Sequence, residues 1–449
     1  MTIPRRKKVL VLTYYWPPSG GAGVQRWLKF TKYLREYDYE PVIYTAEDPE
    51  YPSFDESLYQ DVPEGLTILK TKVWEPYKLY KWFTFQKKGH RINTGFLNKD
   101  KKKGLAEKIS VWIRGNWFIP DARKFWIRPS IRYLSGYLQD NPVDLVVSTG
   151  PPHSLHLIAM KVSEKMKIPW VADFRDPWTK IDFYQELKLS KRSDRKHQKL
   201  EKQVILSADA IIVINQDMRD QFKEMGGGNI HYIPNGFDPE DFTSSNIDSS
   251  EADAHEVALM ENKFTLTHIG TIVPSRNPET LWKVLSDLLG ENEDFARDLE
   301  IKLIGACDYS VTKSINEAEL EKWVTMVEYL PHQDAILYLR RSQLLLLLIN
   351  NTPTAKGILT GKFFEYLNAG RPILAIGPPD GEVGHILNET GTGYMADFGD
   401  YEATKSYIID SYKLYKEGKL IITPTNIDRY SRKGLTGELT KLFNELLIS

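Results

Sequence analysis

Several features are scarce in this sequence of 449 residues, and each scarcity excludes a class of protein. A single cysteine, Cys307, excludes an internal disulfide framework and fits a reducing compartment. The longest apolar run, residues 344–349, is far shorter than the roughly 20 residues of a membrane-spanning helix. The apolar run at 9–12 meets prolines at once and is too short for a signal peptide. We therefore expect a cytoplasmic protein, and the net charge of −1 gives no reason to expect nucleic acid.

What the sequence does contain is a regular alternation of short apolar runs and amphipathic stretches. This pattern predicts an α/β fold with parallel sheets that are covered by helices on both faces. The first series of predicted strands lies at 8–13, 41–45, 144–148, 169–173 and 210–214. The second lies at 264–269, 300–304, 327–330, 344–349 and 372–376. The sequence therefore predicts two facing Rossmann-like domains, a number that also suits the length of the chain.

The boundaries of these domains follow from a polar stretch in the middle of the chain. Residues 236–262 are rich in Ser, Asp and Glu, which is typical of a linker. We predict an N-terminal domain at 1–235, a C-terminal domain at 263–425 and a final segment, 426–449, that crosses back to the first domain. Ligands of such sheets bind beyond the carboxyl ends of the strands, so the cleft between the domains is the expected site.

One segment, residues 74–128, breaks the alternation. It holds 14 Lys and Arg against 4 Asp and Glu, a formal charge of +10, and many of the intervening residues are Trp, Tyr or Phe. Cations interleaved with aromatic rings suit an anionic membrane surface or a lipid phosphate. A solvated insertion with its aromatic rings packed beneath it has the same composition, and both interpretations remain open.

The second domain contains the sharpest candidate site. Lys362 and Glu365 lie three residues apart on a predicted helix that begins near Gly361. A helix N-terminus with a lysine in its first turn can bind a diphosphate, and a glutamate one turn later can accept hydrogen bonds from sugar hydroxyls. An ordinary ion pair on a helix would show the same spacing.

A second element of this domain points to the same ligand. The predicted strand 264–269 runs through Gly270 into a loop that carries Arg276. Arg276 and Lys362 would both follow the carboxyl ends of strands, where they could hold one diphosphate. Two cations that neutralise a departing diphosphate can replace a divalent metal, so we expect no metal site.

In the first domain, glycines follow the first predicted strand. Gly20, Gly21 and Gly23 precede an amphipathic helix, an arrangement that presents backbone N–H groups to a phosphate. The turn lacks the G-x-G-x-x-G spacing, which argues against an NAD-dependent dehydrogenase. Because the main phosphate contacts are expected at Arg276 and Lys362, we predict that these glycines form a facing wall of the donor site.

Further polar residues follow other strands of the first domain. His153 comes just after the strand 144–148, and Asp173, Arg175 and Asp176 end the next one. A carboxylate there could orient an acceptor hydroxyl or help to deprotonate it. A capping or salt-bridge role for one of the carboxylates, and a structural role for the lone histidine, are the alternatives.

These motifs resemble glycosyltransferase family 4, a group of retaining enzymes with the GT-B architecture. The resemblance rests on the glycine turn at 20–23, on Gly270 with Arg276, and on the run from Lys362 through Glu365 to Pro372. It implies that Arg276 and Lys362 hold the donor diphosphate and that Glu365 holds the nucleotide ribose. The family's first glutamate would fall at position 357, where this sequence has Gly357, so backbone N–H groups of 357–360 or neighbouring polar groups are expected to contact the donor sugar.

The resemblance also implies positions for the remaining residues. His153 would lie near the sugar hydroxyls, the loop 329–332 with His332 would border the nucleobase, and Asp380 in the loop 377–382 would edge the donor pocket. No cofactor is expected besides the nucleotide-sugar substrate. The run Asp173–Trp178 is typical of bacterial members and assigns no role by itself. Segment 74–128 favours a lipid-linked saccharide acceptor, as in surface-polysaccharide assembly.

Two other functions remain open at this point. A sugar-nucleotide epimerase with the same architecture would bind the diphosphate but would need no acceptor surface. A non-catalytic protein that binds nucleotides or anions would use the same residues without chemistry.

Overall fold

The computed structural model divides the chain into two compact units. The first comprises Met1–Pro234 and Leu435–Ser449, and the second comprises Asn235–Gly434. The structure describes residues 5–49, 51, 54–74, 111–113, 115–181, 184–243, 262–327, 330 and 332–448. Most of the predicted insertion 74–128 and most of the predicted linker 236–262 therefore lie outside the described residues.

The first unit is built on a parallel sheet of seven strands in the order β3-β2-β1-β4-β5-β6-β7. The strands are β1 (Lys7–Leu12), β2 (Tyr39–Ala46), β3 (Thr67–Thr71), β4 (Leu145–Gly150), β5 (Trp170–Phe174), β6 (Ala210–Val213) and β7 (Ile230–Tyr232). The chain reverses its direction of travel across the sheet between β1 and β4. In such sheets the carboxyl ends at this point form the usual ligand site.

Helices cover both faces of this sheet, because successive residues of its central strands are apolar and point to opposite faces. Val9 and Val11 of β1 belong to one buried cluster, and Leu10 and Leu12 belong to another on the opposite face. Among the described residues of this part of the chain, the helices longer than eight residues are α1 (Ala22–Leu34), α2 (Ile127–Asp140), α3 (Ser154–Met166), α4 (Lys191–Ser207) and α5 (Gln216–Glu224).

The second unit repeats the plan with six parallel strands in the order β10-β9-β8-β11-β12-β13. The strands are β8 (Phe264–Ile269), β9 (Leu299–Ile304), β10 (Val324–Val327), β11 (Leu344–Leu348), β12 (Ile373–Ile376) and β13 (Gly393–Ala396). The central strand β11 consists of five buried leucines, which accounts for the longest apolar run of the sequence.

The helices of the second unit surround its sheet. They are α6 (Glu240–Thr243), α7 (Glu279–Glu291), α8 (Glu293–Asp298), α9 (Tyr309–Glu317), α10 (His332–Arg341), α11 (Gly361–Asn368), α12 (Glu382–Thr390) and α13 (Tyr401–Lys416). Within the described ranges, no helix combines the length and the apolar character that crossing a bilayer would require.

The last helix, α14 (Arg432–Ile448), contributes to the first unit from Leu435 onward. Phe443 packs edge-on against Tyr39 of β2, with ring centroids 5.4 Å apart. The Tyr39 hydroxyl donates to the Asn444 side chain at 3.0 Å. Leu439 and Phe443 are fully buried in the cluster that contains Val9 and Val11. This helix is therefore part of the core of the first unit.

The predicted α/β class with two Rossmann-like parallel sheets is confirmed. Three strands were not predicted, namely β3, β7 and β13, and each lies at an edge of its sheet or is short. A strand at the edge of a sheet needs no continuous apolar run, and the residues of β3 are exposed or half-buried rather than fully buried. The prediction for β10 was displaced: the strand spans Val324–Val327 rather than 327–330.

Candidate functional site

The candidate donor site of the second unit begins where β8 ends. Gly270 follows this strand with a φ of 151°, a backbone conformation that favours glycine. A Cβ at this position would stand 3.2 Å from the His268 Nε2 atom and 3.2 Å from the Lys362 Nζ atom. The absence of a side chain therefore lets two nitrogen-bearing side chains approach the backbone after β8. We call the surroundings of Gly270, Arg276, Lys362 and Glu365 the cationic hollow.

Helix α11 brings Lys362 to this hollow. The helix begins at Gly361, and Thr360 at its N-cap makes no side-chain capping bond. The hydroxyl of Tyr366 accepts a hydrogen bond from the backbone N–H of Ile269 at 2.8 Å. This bond fixes the helix against the end of β8, so that the Lys362 ammonium, in the first turn, lies beside Gly270. Its charge and the helix dipole both favour an anion there.

Arg276 reaches the same hollow from the turn Pro274–Arg276. Its Nε atom donates to the Asn350 side chain, and one terminal nitrogen donates to the Thr271 carbonyl at 3.2 Å. Burial lowers the pKa of Arg276. Burial also lowers the pKa of Lys362, the nearby Arg276 charge lowers it further, and Glu365 opposes the change. The two cations thus repel one another in a partly dehydrated place, and a bound anion would relieve that repulsion.

Glu365 lies one turn after Lys362 and is half-buried. Burial raises the pKa of its carboxyl group, Asp241 raises it further, and His332, Lys362 and Arg432 oppose the shift. The Glu365 carboxylate lies 4.0 Å from the His332 Nδ1 atom, and His332 Nε2 lies 3.6 Å from Asp241. The structure therefore places His332 beside Glu365. Tyr329 and Pro331 of the predicted nucleobase loop lie outside the described residues.

The other residues that were predicted to border the donor, Asp380 and the turn at 357–360, already have hydrogen-bond partners within the protein. Asp380 is exposed and forms an ion pair with Lys356, and that hydrogen bond lowers the pKa of Asp380. The N–H groups of Gly357 and Ile358, two of the expected contacts for the donor sugar, donate at 3.1 and 3.2 Å to carbonyls within the turn Ala355–Gly357 and its flank. These two N–H groups therefore already donate hydrogen bonds within their own turn rather than to a ligand.

In the first unit, the glycine turn after β1 is held by an arginine. Gly21 has a φ of 90° and precedes α1, whose first residues are Ala22 and Gly23. The buried Arg175 guanidinium donates to the carbonyls of Gly23 and Pro151. Burial lowers the pKa of Arg175, and Asp176 and Asp173 oppose that change. Arg175 therefore ties the glycine turn to the end of β4 rather than extending toward a ligand.

His153 follows β4 in the first unit, close to this turn. Its ring stacks on the indole of Trp178, with centroids 4.6 Å apart and planes 1° from parallel. Within the described part of the chain, its Nδ1 atom has no hydrogen-bond partner. Burial and the neighbouring His156, His197 and Arg175 charges lower its pKa well below the ordinary value. At neutral pH the imidazole is therefore uncharged and can exchange hydrogen bonds with a hydroxyl group.

His156, three residues after His153, lies deeper in the first unit. It is completely buried, and its Nδ1 atom lies 2.8 Å from the Ser148 hydroxyl. Burial lowers the pKa of His156 to about 3. His153 retains 8% of its exposure, so it is the better placed of the two to contact a ligand.

The two candidate carboxylates of the first unit differ sharply. Asp173 is completely buried and forms an ion pair with Arg26 at 2.9 Å, while Trp27 Nε1 and the Thr149 hydroxyl donate to it at 2.7 and 2.8 Å. Burial raises the pKa of this carboxyl, but the Arg26 charge and these bonds outweigh it and lower the pKa overall. This geometry favours the salt-bridge alternative for Asp173. The sequence did not indicate Arg26 and Trp27 as partners of Asp173, because only the packing of α1 shows that both side chains are buried against it.

Asp176 is half-buried at the end of the same loop. Burial raises the pKa of its carboxyl group to about 6, and Arg175 opposes the shift. A carboxyl group with this pKa can gain or lose a proton near neutral pH, which general acid–base chemistry requires. Of the two predicted carboxylates, Asp176 is the one with the properties of a proton acceptor.

In the described part of segment 74–128, some aromatic side chains are buried and others are exposed. Trp126 is buried, stacks on Tyr44 with centroids 5.3 Å apart and donates to the Thr71 hydroxyl. Trp74, Trp117 and Phe125 are exposed by 57, 66 and 44%. The Lys124 ammonium lies 4.9 Å from the centroid of the Phe125 ring. Trp126 therefore packs beneath the segment, whereas Trp74, Trp117 and Phe125 are exposed to solvent.

Comparison with known proteins gives a family match and a fold. The model of Glycosyltransferase Family 4 matches residues 84–241. HepE of Anabaena in complex with UDP is 14% identical, with a TM-score of 0.61 and coverage of 98% of this chain and 100% of that one. Sucrose-phosphate synthase of Thermosynechococcus elongatus is 12% identical, with a TM-score of 0.59 and coverage of 99% and 100%.

The same fold also occurs with another assigned activity. A protein of Listeria monocytogenes assigned as a UDP-N-acetylglucosamine 2-epimerase is 11% identical, with a TM-score of 0.55 and coverage of 98% and 97%. No curated protein sequence matches this chain. Likeness at these identities establishes the fold and leaves the reaction to the residues of the site. The predicted resemblance is confirmed: residues 84–241 match glycosyltransferase family 4, and the chain has the GT-B fold of the glycosyltransferases to which it is similar.

Proposed function

We propose that this protein is a glycosyltransferase that moves a sugar, as a hexosyltransferase does, from a nucleotide-sugar donor to a saccharide acceptor. The observation that carries this proposal is the cationic hollow, where Arg276 and Lys362 lie beside a glycine backbone at the carboxyl ends of strands. The family match and the UDP present in the Anabaena HepE structure support the same ligand class.

The hollow fits the chemistry of sugar transfer. When the bond between the anomeric carbon and the diphosphate oxygen breaks, negative charge accumulates on the departing diphosphate. Arg276 and Lys362 would neutralise that charge without a metal ion, and the N-terminus of α11 would add its dipole. The Glu365 carboxylate would accept hydrogen bonds from the ribose hydroxyls. His332 would keep Glu365 in place, and Asp380 would lie at the rim.

The first unit would supply the groups that contact the sugar and the acceptor. The neutral His153 ring suits hydrogen bonding to sugar hydroxyls, and Asp176 could assist in deprotonating the acceptor. The turn with Gly20, Gly21 and Gly23 would border the donor. Retention of the anomeric configuration is part of the proposal and rests on the resemblance to family 4.

A membrane-associated acceptor is the second part of the proposal. The exposed rings of Trp74, Trp117 and Phe125, with Lys124 among them, suit the interface of an anionic bilayer. Such a surface would place the enzyme at the inner face of the cell membrane, where lipid-linked saccharides are extended during surface-polysaccharide synthesis. Flotation with anionic vesicles tests this directly. Trp117→Ala should weaken vesicle binding more than Tyr309→Ala, an exposed aromatic of the second unit, and absence of binding at low salt would contradict it.

A ligand screen tests the main proposal. Nucleoside diphosphates and nucleotide sugars should raise the melting temperature, because a ligand that binds the native state stabilises it in proportion to ln(1 + [L]/Kd). Nucleosides without phosphate should do so much less. If no nucleotide stabilises the protein, the proposal is wrong.

The reaction products distinguish a transferase from an epimerase. A transferase releases its nucleoside diphosphate when acceptor is added, whereas an epimerase converts the donor into an isomer without any acceptor.

A further inference from the structure

Trp178 lies in the loop after β5, and three contacts fix its position within the first unit. Its indole face lies flat against His153 at 4.6 Å, as described above. Its backbone N–H and the opposite end of its ring are both held by residues of helix α4, namely Glu201 and His197. His153, Glu201 and His197 therefore hold Trp178 in place, and His153 is the candidate sugar-binding residue.

Glu201 holds the backbone of this loop. Its carboxylate is 2% exposed and accepts three hydrogen bonds from neutral donors. The N–H groups of Trp178 and Thr179 donate to Oε1 at 3.2 Å each, and the Thr179 hydroxyl donates to Oε2 at 2.5 Å. A buried carboxylate is costly unless it is satisfied in this way, so the loop and α4 are tightly coupled.

His197, one turn before Glu201, holds the ring itself. The indole Nε1–H of Trp178 donates to His197 Nδ1 at 3.0 Å. An indole nitrogen can only donate, so Nδ1 must carry the lone pair and the proton must lie on Nε2. The Nε2 atom faces the Gly115 carbonyl at 3.4 Å, which is the acceptor that this tautomer requires. Burial lowers the pKa of His197 and so favours the neutral ring that the bond needs.

We propose that His197 and Glu201 are positioning residues: through Trp178 they fix the plane of the His153 imidazole for contact with the substrate. Neither residue touches the sugar. A change at α4 would act on the reaction only by releasing the indole, which then no longer supports the His153 ring. This inference rests on the proposed function for the role of His153, whereas the positioning itself can be observed without any substrate.

The decisive pair of variants is His197→Phe and His197→Asn. Phenylalanine keeps an aromatic ring but removes the acceptor of the Trp178 bond, whereas asparagine places an amide oxygen near the former Nδ1 position. The protein has nine histidines, few enough for their ring signals to be assigned by NMR with single substitutions. Stacking on Trp178 shifts the His153 ring protons upfield. His197→Phe should move them toward the unstacked position, and His197→Asn should leave them near their original value.

Kinetics provide the second readout. With His197→Phe we expect kcat to fall about three- to tenfold, the loss of one neutral hydrogen bond, while UDP affinity stays unchanged because the cationic hollow is intact. Trp178→Phe removes the same bond from the other side, so the double variant should lose no more than either single one. If His197→Phe does not fold, the Trp178→Phe single variant still removes the bond, and it should lower kcat by a similar factor while UDP affinity stays unchanged.

Three results would overturn the inference. The first is a His197→Phe protein that is folded by circular dichroism and keeps both its His153 signals and its kcat. The second is a His197→Asn variant as impaired as His197→Phe. The third is an additive loss in the double variant. If the protein binds no nucleotide at all, the proposed function fails, and the NMR experiment still decides the positioning.

Discussion

The two units place their charged side chains in opposite ways at corresponding points of the same fold. In the second unit, Arg276 and Lys362 share one hollow; burial lowers the pKa of the nearby His268, and the charges of Lys362 and Arg276 lower it further. In the first unit, Arg175 donates to backbone carbonyls and Arg26 to a buried carboxylate. What the first unit places there is a neutral histidine and a carboxyl group that titrates near neutral pH.

This difference shows how one architecture can serve two kinds of ligand. Cations directed into a hollow bind an anion, whereas cations that hold backbone carbonyls stiffen the loops around them. The second unit therefore suits the diphosphate of a donor, and the first suits uncharged hydroxyl groups that must be oriented or deprotonated. The following experiments test that division, beginning with the largest expected effect.

Removing Arg26 should destabilise the first unit most. Arg26→Leu leaves Asp173 buried without its cation, which typically costs about 3–5 kcal/mol of unfolding free energy. Urea unfolding followed by tryptophan fluorescence measures the loss, with the exposed Arg195→Ala as a control near zero. If Asp173→Ala instead abolished transfer while leaving the urea midpoint unchanged, Asp173 would be a catalytic residue and the salt-bridge assignment would fail.

Acid should destabilise the first unit more steeply than the second. Among the described residues, the histidine pKa values that the fold lowers are those of His153, His156, His197 and His231 in the first unit and His268 in the second. The unfolded chain binds these protons near pH 6.5 and the folded chain only at lower pH, so stability is lost as pH falls below that value.

The expected loss of unfolding free energy can be calculated for the buried histidines His153, His156 and His268. Between pH 6 and 5, His153 and His156 together should cost the first unit about 2.4 kcal/mol, against about 1.2 kcal/mol for His268 in the second. Hydrogen exchange at pH 7, 6 and 5 in moderate urea resolves the two units. Equal losses in both would contradict this distribution of buried imidazoles.

Removing either cation of the hollow should weaken nucleotide binding selectively. Lys362→Ala and Arg276→Ala should each reduce UDP affinity about ten- to a hundredfold, since a charge-assisted hydrogen bond contributes roughly 1.5–3 kcal/mol. Uridine affinity should change little. Lys313→Ala, an exposed lysine of α9 paired with Glu317, is the matched control for titration calorimetry. Unchanged UDP affinity in both hollow variants would remove the basis of the proposed function.

The smallest effect is expected at the rim of the hollow. Asp380→Ala removes an exposed ion pair with Lys356, and such pairs contribute at most about 1 kcal/mol. UDP affinity should therefore change less than threefold. A tenfold loss of affinity for a nucleotide sugar but not for UDP would show instead that Asp380 contacts the donor sugar.

The sequence predicted the positions that depend on strand ends and helix starts. Gly270, Lys362, Glu365 and His153 were recognisable because short-range patterns place them after strands or in first helical turns. Three of them, Gly270, Lys362 and Glu365, do lie together in the structure. Parallel strands bring their carboxyl ends to one edge, so residues from distant parts of the chain can be grouped without knowing the packing.

What the sequence could not provide was the partner of each charge. Asp173 and Asp176 look alike in sequence, yet only Asp173 meets Arg26, whose position on the buried face of α1 is decided by packing. Likewise Glu201 and His197 form an ordinary polar pair on an amphipathic helix until the loop with Trp178 is seen against them. Such pairings depend on long-range contacts that no local pattern encodes.

The placement of α14 in the first unit has a consequence for how the chain reaches its fold. The chain leaves the first unit at Pro234 and returns at Leu435, so cutting at either point alone cannot release an intact unit. On the ribosome, the sheet from β1 to β7 emerges long before Leu439 and Phe443 are available to cover it. During that interval its apolar face stays open, and the first unit can complete its core only after the second has been synthesised.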